Sequence, residues 1–303
     1  MSETFGPMAV GTWSWGDRTG WGGSSSEKDH ESAFIASLRA GIRLFDTAER
    51  YGAGESERML GRFIALSSEP VRIATKFSPF RSQWRPKHLR SALEGSLKRL
   101  GVARIDLYQI HWPTRFSSIG IWMEALADAA SDGLISAAGV SNYTPDQVRG
   151  AFEMLKKRGL HLASVQVRFN LIDRAPERNG MLTLCRELGV TLFAYSPLAM
   201  GILSGKYESG GLPEGQNRQV ITRERLDSLR PLTGLMREIG QGHGGTPSQV
   251  ALNWVIAKGA VPIAGARNGA QATENADALG WTLGAEEIRA LEEAAKNVDE
   301  NEN

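Results

Sequence analysis

Cysteine is nearly missing: Cys185, in MLTLCRELGV, is the only one in 303 residues. A lone thiol excludes an internal disulfide framework and fits a reducing compartment, where Cys185 reads as a small buried hydrophobe. A dominant charge sign is missing as well. Lys+Arg 35 against Asp+Glu 34 leaves a formal charge of +1, which argues against a broad footprint for nucleic acid or an acidic membrane. The five histidines show no paired ligand spacing, so no metal site is expected. Long apolar runs are absent too: VTLFAYSPLAMGIL is broken by Ser, Pro and Gly and is shorter than a membrane span. The N-terminal MSETFGPMAVGTW has neither a basic n-region nor an apolar h-region. The expectation is a soluble, cytoplasmic protein with no membrane or nucleic-acid partner; its oligomeric state is not legible.

Phosphate-binding signatures fail in context. GQGHGG, 240–245, matches G-x-G-x-x-G but follows the helical LTGLMREIG instead of a strand, so it reads as a turn between helices. GAGESE after Tyr51 falls one residue short, and P-loop, G-x-S-x-G and H-E-x-x-H motifs do not occur.

What is present is a rhythm. Short apolar runs, IRLFDT, VRIATK, IDLYQIHW, ISAAGVSN, SVQVRFN, TLFAYSP, AVPIAG and a weaker one near DALGWTL, alternate with amphipathic segments. ESERMLGRFIAL repeats Leu60, Phe63 and Ile64 at helical spacing. RPKHLRSALEGSLKRLG starts at Pro86, lines up Leu89, Leu93, Leu97 and Leu100, and stops at Gly101. TPDQVRGAFEMLKKRG and TPSQVALNWVIAKG each open with Thr-Pro and end at Gly. Strands apolar on both faces and separated by helices predict a parallel sheet, and eight of them predict closure into a (β/α)8 TIM barrel, one domain over 1–303. A doubly wound open sheet is the alternative. Strands start about 27 to 34 residues apart, except for a step of about 70 after TLFAYSP, which reads as a functional loop.

Barrel chemistry sits at the C-terminal ends of the strands. The residues there are Asp46, Lys76, His111, Ser141 with Asn142, Gln166, Tyr195 with Ser196, and Gly265 with Arg267. An Asp closing IRLF could simply cap the next helix. Lys76 could snorkel at the surface, and His111 or Tyr51 could be a satisfied half-buried ring. Together, Asp46, Tyr51, Lys76 and His111 suit one job, giving a proton to a developing alkoxide. An ammonium lowers the pKa of a neighbouring phenol, a carboxylate keeps that ammonium charged, and a histidine orients the carbonyl or shares the proton. Asn142 and Gln166 offer the donors and acceptors an amide needs, Tyr195 a flat face, and Arg267 before AQATEN a cation beside helix N–H groups.

FDTAERYG, IATK, DLYQIHWP, GVSNY, YSPLAMG and GARNGAQATEN, in that order, resemble the aldo-keto reductases over nearly the whole chain. The resemblance implies a (β/α)8 barrel, a catalytic tetrad of Asp46, Tyr51, Lys76 and His111 with Tyr51 as general acid, and NADP(H) held without a Rossmann domain. It places Ser141, Asn142 and Gln166 at the carboxamide and Tyr195 against the nicotinamide. Ser196, Leu198, Gly201 and Leu203 match the pyrophosphate loop. Gly265, Arg267, Gln271, Glu274 and Asn275 match the adenosine and 2′-phosphate end, and Gly11, Thr12 and Trp13 the loop at the entrance. Trp15 and Trp21 in GTWSWGDRTGWGG, with Trp112 in HWP, suggest a small aromatic or apolar carbonyl substrate; packing over the barrel is the other reading of these rings. The Trp-Gly-rich segment is similar to a group with plastid and cyanobacterial members and pyridoxal reductases, which points to pyridoxal. Barrels of this family also serve as cofactor-sensing regulatory subunits of membrane proteins, so that role is the alternative to an NADPH-dependent carbonyl reductase.

Overall fold

The computed structural model describes residues 5–16, 25–79, 85–114, 118–207 and 221–301, with side chains to 296. Apolar runs that can be covered outside and filled inside close a sheet on itself. The order is β1 (Ala9–Gly11), α1 (Glu27–Arg39), β2 (Leu44–Asp46), α2 (Glu55–Leu66), β3 (Arg72–Phe77), α3 (Pro86–Leu100), β4 (Ile105–Ile110), α4 (Ile119–Ser131), β5 (Ile135–Ser141), α5 (Pro145–Lys157), β6 (Leu162–Arg168), α6 (Ala175–Arg178), α7 (Met181–Leu188) and β7 (Thr191–Tyr195). After β7 come α8 (Arg223–Ser228), α9 (Arg230–Gly242), α10 (Pro247–Ala257), β8 (Val261–Gly265), α11 (Gly269–Asp277) and α12 (Ala285–Asn301). All eight strands pair in parallel, each with the next, and β1 closes the barrel on β8 through Ala9↔Ile263 and Gly11↔Gly265.

The helix signals act as read. Thr144 and Thr246 cap α5 and α10, accepting from Gln147 N and Gln249 N, and each glutamine side chain returns a bond to its cap's backbone N–H. Pro86 opens α3, Leu89 and Leu93 are buried, and Gly101 at φ 69° ends the helix. GQGHGG forms the last residues of α9 and the start of the turn to α10, as its helical context implied. One expected strand is wrong. DALGWTL is the end of α11, a 3₁₀ turn over Ala278–Gly280, and coil fastened by Asn253, whose Nδ2 donates to Ala278 O at 2.8 Å and Trp281 O at 2.9 Å. The missing strand is β1, three residues long, held by neighbours on both sides instead of by its own pattern.

Alternation along the strands sorts the barrel interior into layers. Phe5, Ala9, Leu44, Ala74, Leu107, Phe193 and Ile263 form an apolar plug. Two residues further along the same faces stand Gly11, Asp46, Lys76, Gln109, Tyr195 and Gly265. Apolar at the bottom and polar at the C-terminal end is what a closed barrel with a site at its mouth requires.

The α2 helix, which follows the Tyr51 turn, is tied in firmly. Glu57 is fully buried behind β3 and accepts from Thr75 Oγ1 and Arg99 Nε, both at 2.6 Å. Gly61 lets α2 approach α3: a Cβ there would sit 2.7 Å from the Leu100 carbonyl oxygen. Among the described residues, no helix is long and apolar enough to cross a membrane.

Candidate active site

Asp46 ends β2 at its pairing with Gly11 and Ala74. The chain then bends, with Tyr51 N donating to Ala48 O at 3.0 Å, and three left-handed residues follow, Gly52 at φ 56°, Ala53 at φ 54° and Gly54 at φ 87°. A non-glycine residue in that region costs free energy and is kept where the surroundings impose it. On either side of the turn the chain is tied into a buried hydroxyl cluster. Thr12 Oγ1 donates to Asp46 O at 3.0 Å, and Ser56 Oγ lies 2.8 Å from Thr12 Oγ1 and 2.9 Å from Thr47 Oγ1.

Lys76, fully buried, stands at the centre. Its Nζ donates to Asp46 Oδ2 at 2.6 Å, Thr47 O at 2.8 Å and the Tyr51 hydroxyl at 3.4 Å. The His111 ring lies 5.9 Å from the Tyr51 ring, edge-on. Asp46 Oδ1 also accepts from Gln166 Nε2 at 2.9 Å. The four residues named from the sequence therefore do converge.

Their electrostatics are mutual. Burial alone would strip the proton from Lys76, but Asp46 and Tyr51 outweigh it and hold its pKa above the ordinary value. Burial raises the Tyr51 pKa, with the Lys76 ammonium pulling the other way. The sequence alone suggests that the ammonium prevails; in the fold desolvation wins, so the phenol keeps its proton at neutral pH. His111 falls from 6.5 to about 3 through burial, then through Lys76 and Arg50, so its ring is neutral.

The cofactor positions implied by the resemblance divide into groups. Ser141 Oγ donates to Gln166 O at 3.0 Å, and Asn142 sits at φ 61°, its Nδ2 donating to His111 O and Ser141 Oγ. The Tyr195 hydroxyl donates to Asn142 Oδ1 at 3.0 Å, and the Arg168 guanidinium lies 5.9 Å from the Tyr195 ring centre. Gln166 Oε1 and the second lone pair of Asn142 Oδ1 are acceptors of the kind a carboxamide N–H₂ needs. Ser196 is left-handed at φ 52°. Leu198 and Gly201 are half-buried, whereas Leu203 is fully buried, so its side chain packs in the core. A Cβ at Gly201, φ 90°, would sit 2.6 Å from Lys206 Nζ. Gly11 is half-buried in β1, and the Thr12 side chain is spent on Asp46 and Ser56.

At the far end Arg267 precedes α11 and Gln271 Oε1 accepts from its backbone N–H at 2.9 Å. The helix N–H groups expected to join it are partly committed: Gly269 N to Ser32 Oγ, Gln271 N to Asn268 Oδ1. Glu274 accepts from Thr246 Oγ1 at 2.8 Å, and Asn275 Nδ2 donates to the carbonyl of the exposed Gly265 at 3.1 Å.

The tryptophans separate. Trp112 is 50% exposed and stacks on His111 with centroids 6.0 Å apart, and Trp13 is 47% exposed. Trp15 is not at the mouth. It is fully buried, stacked on His30, edge-on to Phe63, its Nε1 donating to Ala266 O at 2.8 Å, so packing claims it. Trp21 lies outside the described residues, as do 208–220 of the long segment after β7. Two residues at this site went unread in the sequence. Ser78 and Glu49 stand one strand step and one turn from Lys76 and Tyr51, where period-two spacing beyond Lys76 would have pointed to Ser78.

A parallel (β/α)8 barrel with a buried Asp–Lys–Tyr chain and a neutral histidine at its C-terminal mouth is equipped to move a proton onto an oxygen, which is an enzyme's site. The sequence profile of the aldo/keto reductase family matches residues 7–296, and the chain belongs to that family. It is 40% identical to the chloroplastic pyridoxal reductase of Arabidopsis thaliana, over 96% of this chain and 83% of that one. It is 28% identical to the NADH-specific methylglyoxal reductase of Escherichia coli, over 98% and 96%. The structure of the glycerol dehydrogenase from Gluconobacter oxydans superposes with a TM-score of 0.83 at 28% identity, covering 95% of this chain and 90% of that one. The chain is thus an oxidoreductase of a family that acts on small carbonyl compounds with nicotinamide cofactors.

Proposed function

We propose that the protein is an NADPH-dependent reductase of small aromatic or apolar aldehydes and ketones, pyridoxal among them, working in a reducing, cytoplasmic compartment. The observation that carries this reading is the position of Lys76 Nζ, 2.6 Å from Asp46 and 3.4 Å from the Tyr51 hydroxyl. A bound NADPH supplies the hydride that reduces the carbonyl carbon. Tyr51 holds the proton that the carbonyl oxygen needs as it becomes an alkoxide, a base strong enough to take it from a buried phenol. Lys76, kept charged by Asp46, favours the phenolate left behind. His111, neutral, orients the carbonyl oxygen, and Trp112 beside it offers an aromatic face. Asn142 and Gln166 would hold the carboxamide, and Tyr195 would offer its ring to the nicotinamide. Similarity to the pyridoxal reductase of Arabidopsis supports the substrate class. The regulatory-subunit alternative gains no support from these relatives. Purified protein should oxidise NADPH in the presence of pyridoxal or benzaldehyde. Inactivity across a panel of aldehydes and ketones would reject the reading.

Arg267 is assigned the 2′-phosphate. Because two of the first N–H groups of α11 are already committed, one to Ser32 on α1 and one to the Asn268 cap, the guanidinium carries more of that recognition than the helix end does. A charge-assisted hydrogen bond is worth about 1.5–3 kcal/mol, one to two decades of affinity, against less than about 1 kcal/mol for a mere surface ion pair. Fluorescence titration should show Arg267→Ala weakening NADPH by one to two decades and NADH little. Equal weakening of both, or of neither, would move the assignment to Lys206 or Gln271.

A further inference from the structure

Beyond Lys76 on the same inward face comes Ser78, 2% exposed, whose hydroxyl lies 3.0 Å from His111 Nδ1. Its backbone is clamped too, the N–H donating to Glu49 Oε1 at 2.7 Å. A neutral imidazole carries one N–H and one bare nitrogen, so His111 can donate to a carbonyl oxygen through Nε2 only if Nδ1 is bare. The Ser78 hydroxyl is within hydrogen-bonding distance of His111 Nδ1, which leaves Nε2 as the ring nitrogen on the opposite side of the imidazole. With the proton on Nδ1, the Ser78 oxygen would have to accept instead, and its own buried hydrogen would lose Nδ1 as its acceptor, which is costly.

We propose that Ser78, held by Glu49, is a positioning residue: its O–H donates to His111 Nδ1 and so places the ring proton on Nε2, toward the substrate carbonyl oxygen. The inference rests on the reading of His111 as the group that orients that oxygen. Glu49 fixes where Ser78 stands, and Ser78 fixes which nitrogen of His111 is the donor.

The test is the ring ¹⁵N chemical shifts of His111 in labelled cofactor-free protein, read beside the kinetics of aldehyde reduction. Wild type should show the Nε2–H tautomer. Ser78→Ala should populate Nδ1–H and lower kcat/KM about tenfold, the worth of one good hydrogen bond. Ser78→Thr, which keeps a hydroxyl, should restore both. A wild-type ring protonated on Nδ1, or an unchanged tautomer in Ser78→Ala, overturns the proposal. The wild-type spectrum decides even if Ser78→Ala fails to fold. A tautomer that shifts while turnover stays the same upholds the control by Ser78 and overturns the orienting role of His111.

Discussion

Tyr51→Phe is expected to cut aldehyde reduction by roughly 10²–10⁴-fold while NADPH still binds with wild-type affinity. The substitution removes one oxygen and leaves the ring, so its edge-on packing against His111 is kept. What disappears is the proton held closest to Lys76 and the place where the ammonium's effect is felt. Because burial keeps the Tyr51 pKa above its ordinary value, the hydroxyl is protonated through the neutral range and serves as donor there. Steady-state turnover with NADPH and benzaldehyde, beside a fluorescence titration of the cofactor, separates chemistry from binding. Turnover within about threefold of wild type would remove Tyr51 from the role of acid, since general acid catalysis is worth far more than that.

Lys76→Met is expected to lower the rate by about 10²-fold and to change the shape of the pH profile. Reduction needs Tyr51 protonated, so activity falls as pH rises through its pKa. The ammonium lowers that pKa, and its loss lets burial and Asp46 raise it further. The alkaline fall should therefore move to higher pH, with a lower plateau because the acid is weaker. The substitution also strips the Asp46 charge of its ammonium, leaving it the Gln166 Nε2 donor at 2.9 Å. Leaving a buried charge without its partner costs about 3–5 kcal/mol, so a lower Tm with a folded barrel is part of the expectation. Circular dichroism checks the fold, and an unchanged pH profile would count against Lys76 as the group that tunes Tyr51.

Most of the barrel could be read because its inward and outward faces follow a period of two. Leu44 and Asp46, Ala74 and Lys76, Phe193 and Tyr195 share faces, so an apolar run ending in a polar residue already tells which side chain looks into the mouth. β1 could not be read that way. Ala9–Gly11 is too short to show a period, and its existence depends on β2 and β8, which lie far away in the chain. DALGWTL had a strand's composition, but Asn253 on α10 takes its Ala278 and Trp281 carbonyls in place of a ladder. Trp15 illustrates the limit for side chains. An indole four residues past a strand end can turn to the mouth or to the helices, and the choice is made by His30, Phe63 and the Ala266 carbonyl. The pKa balance at Tyr51 was hidden for a similar reason: the sequence names the ammonium, but how much water the fold removes decides the net direction.

The most direct test of the central claim follows the hydride itself. NADPH carrying deuterium at the transferable position of the nicotinamide is incubated with the wild-type protein and pyridoxal or benzaldehyde, and the alcohol is analysed by mass spectrometry and NMR. The account predicts one deuterium on the carbinol carbon, one NADP⁺ formed per alcohol, and almost no product from Tyr51→Phe. Tight NADPH binding with no alcohol from any carbonyl compound tried would contradict it and would leave a protein that senses the cofactor without using it.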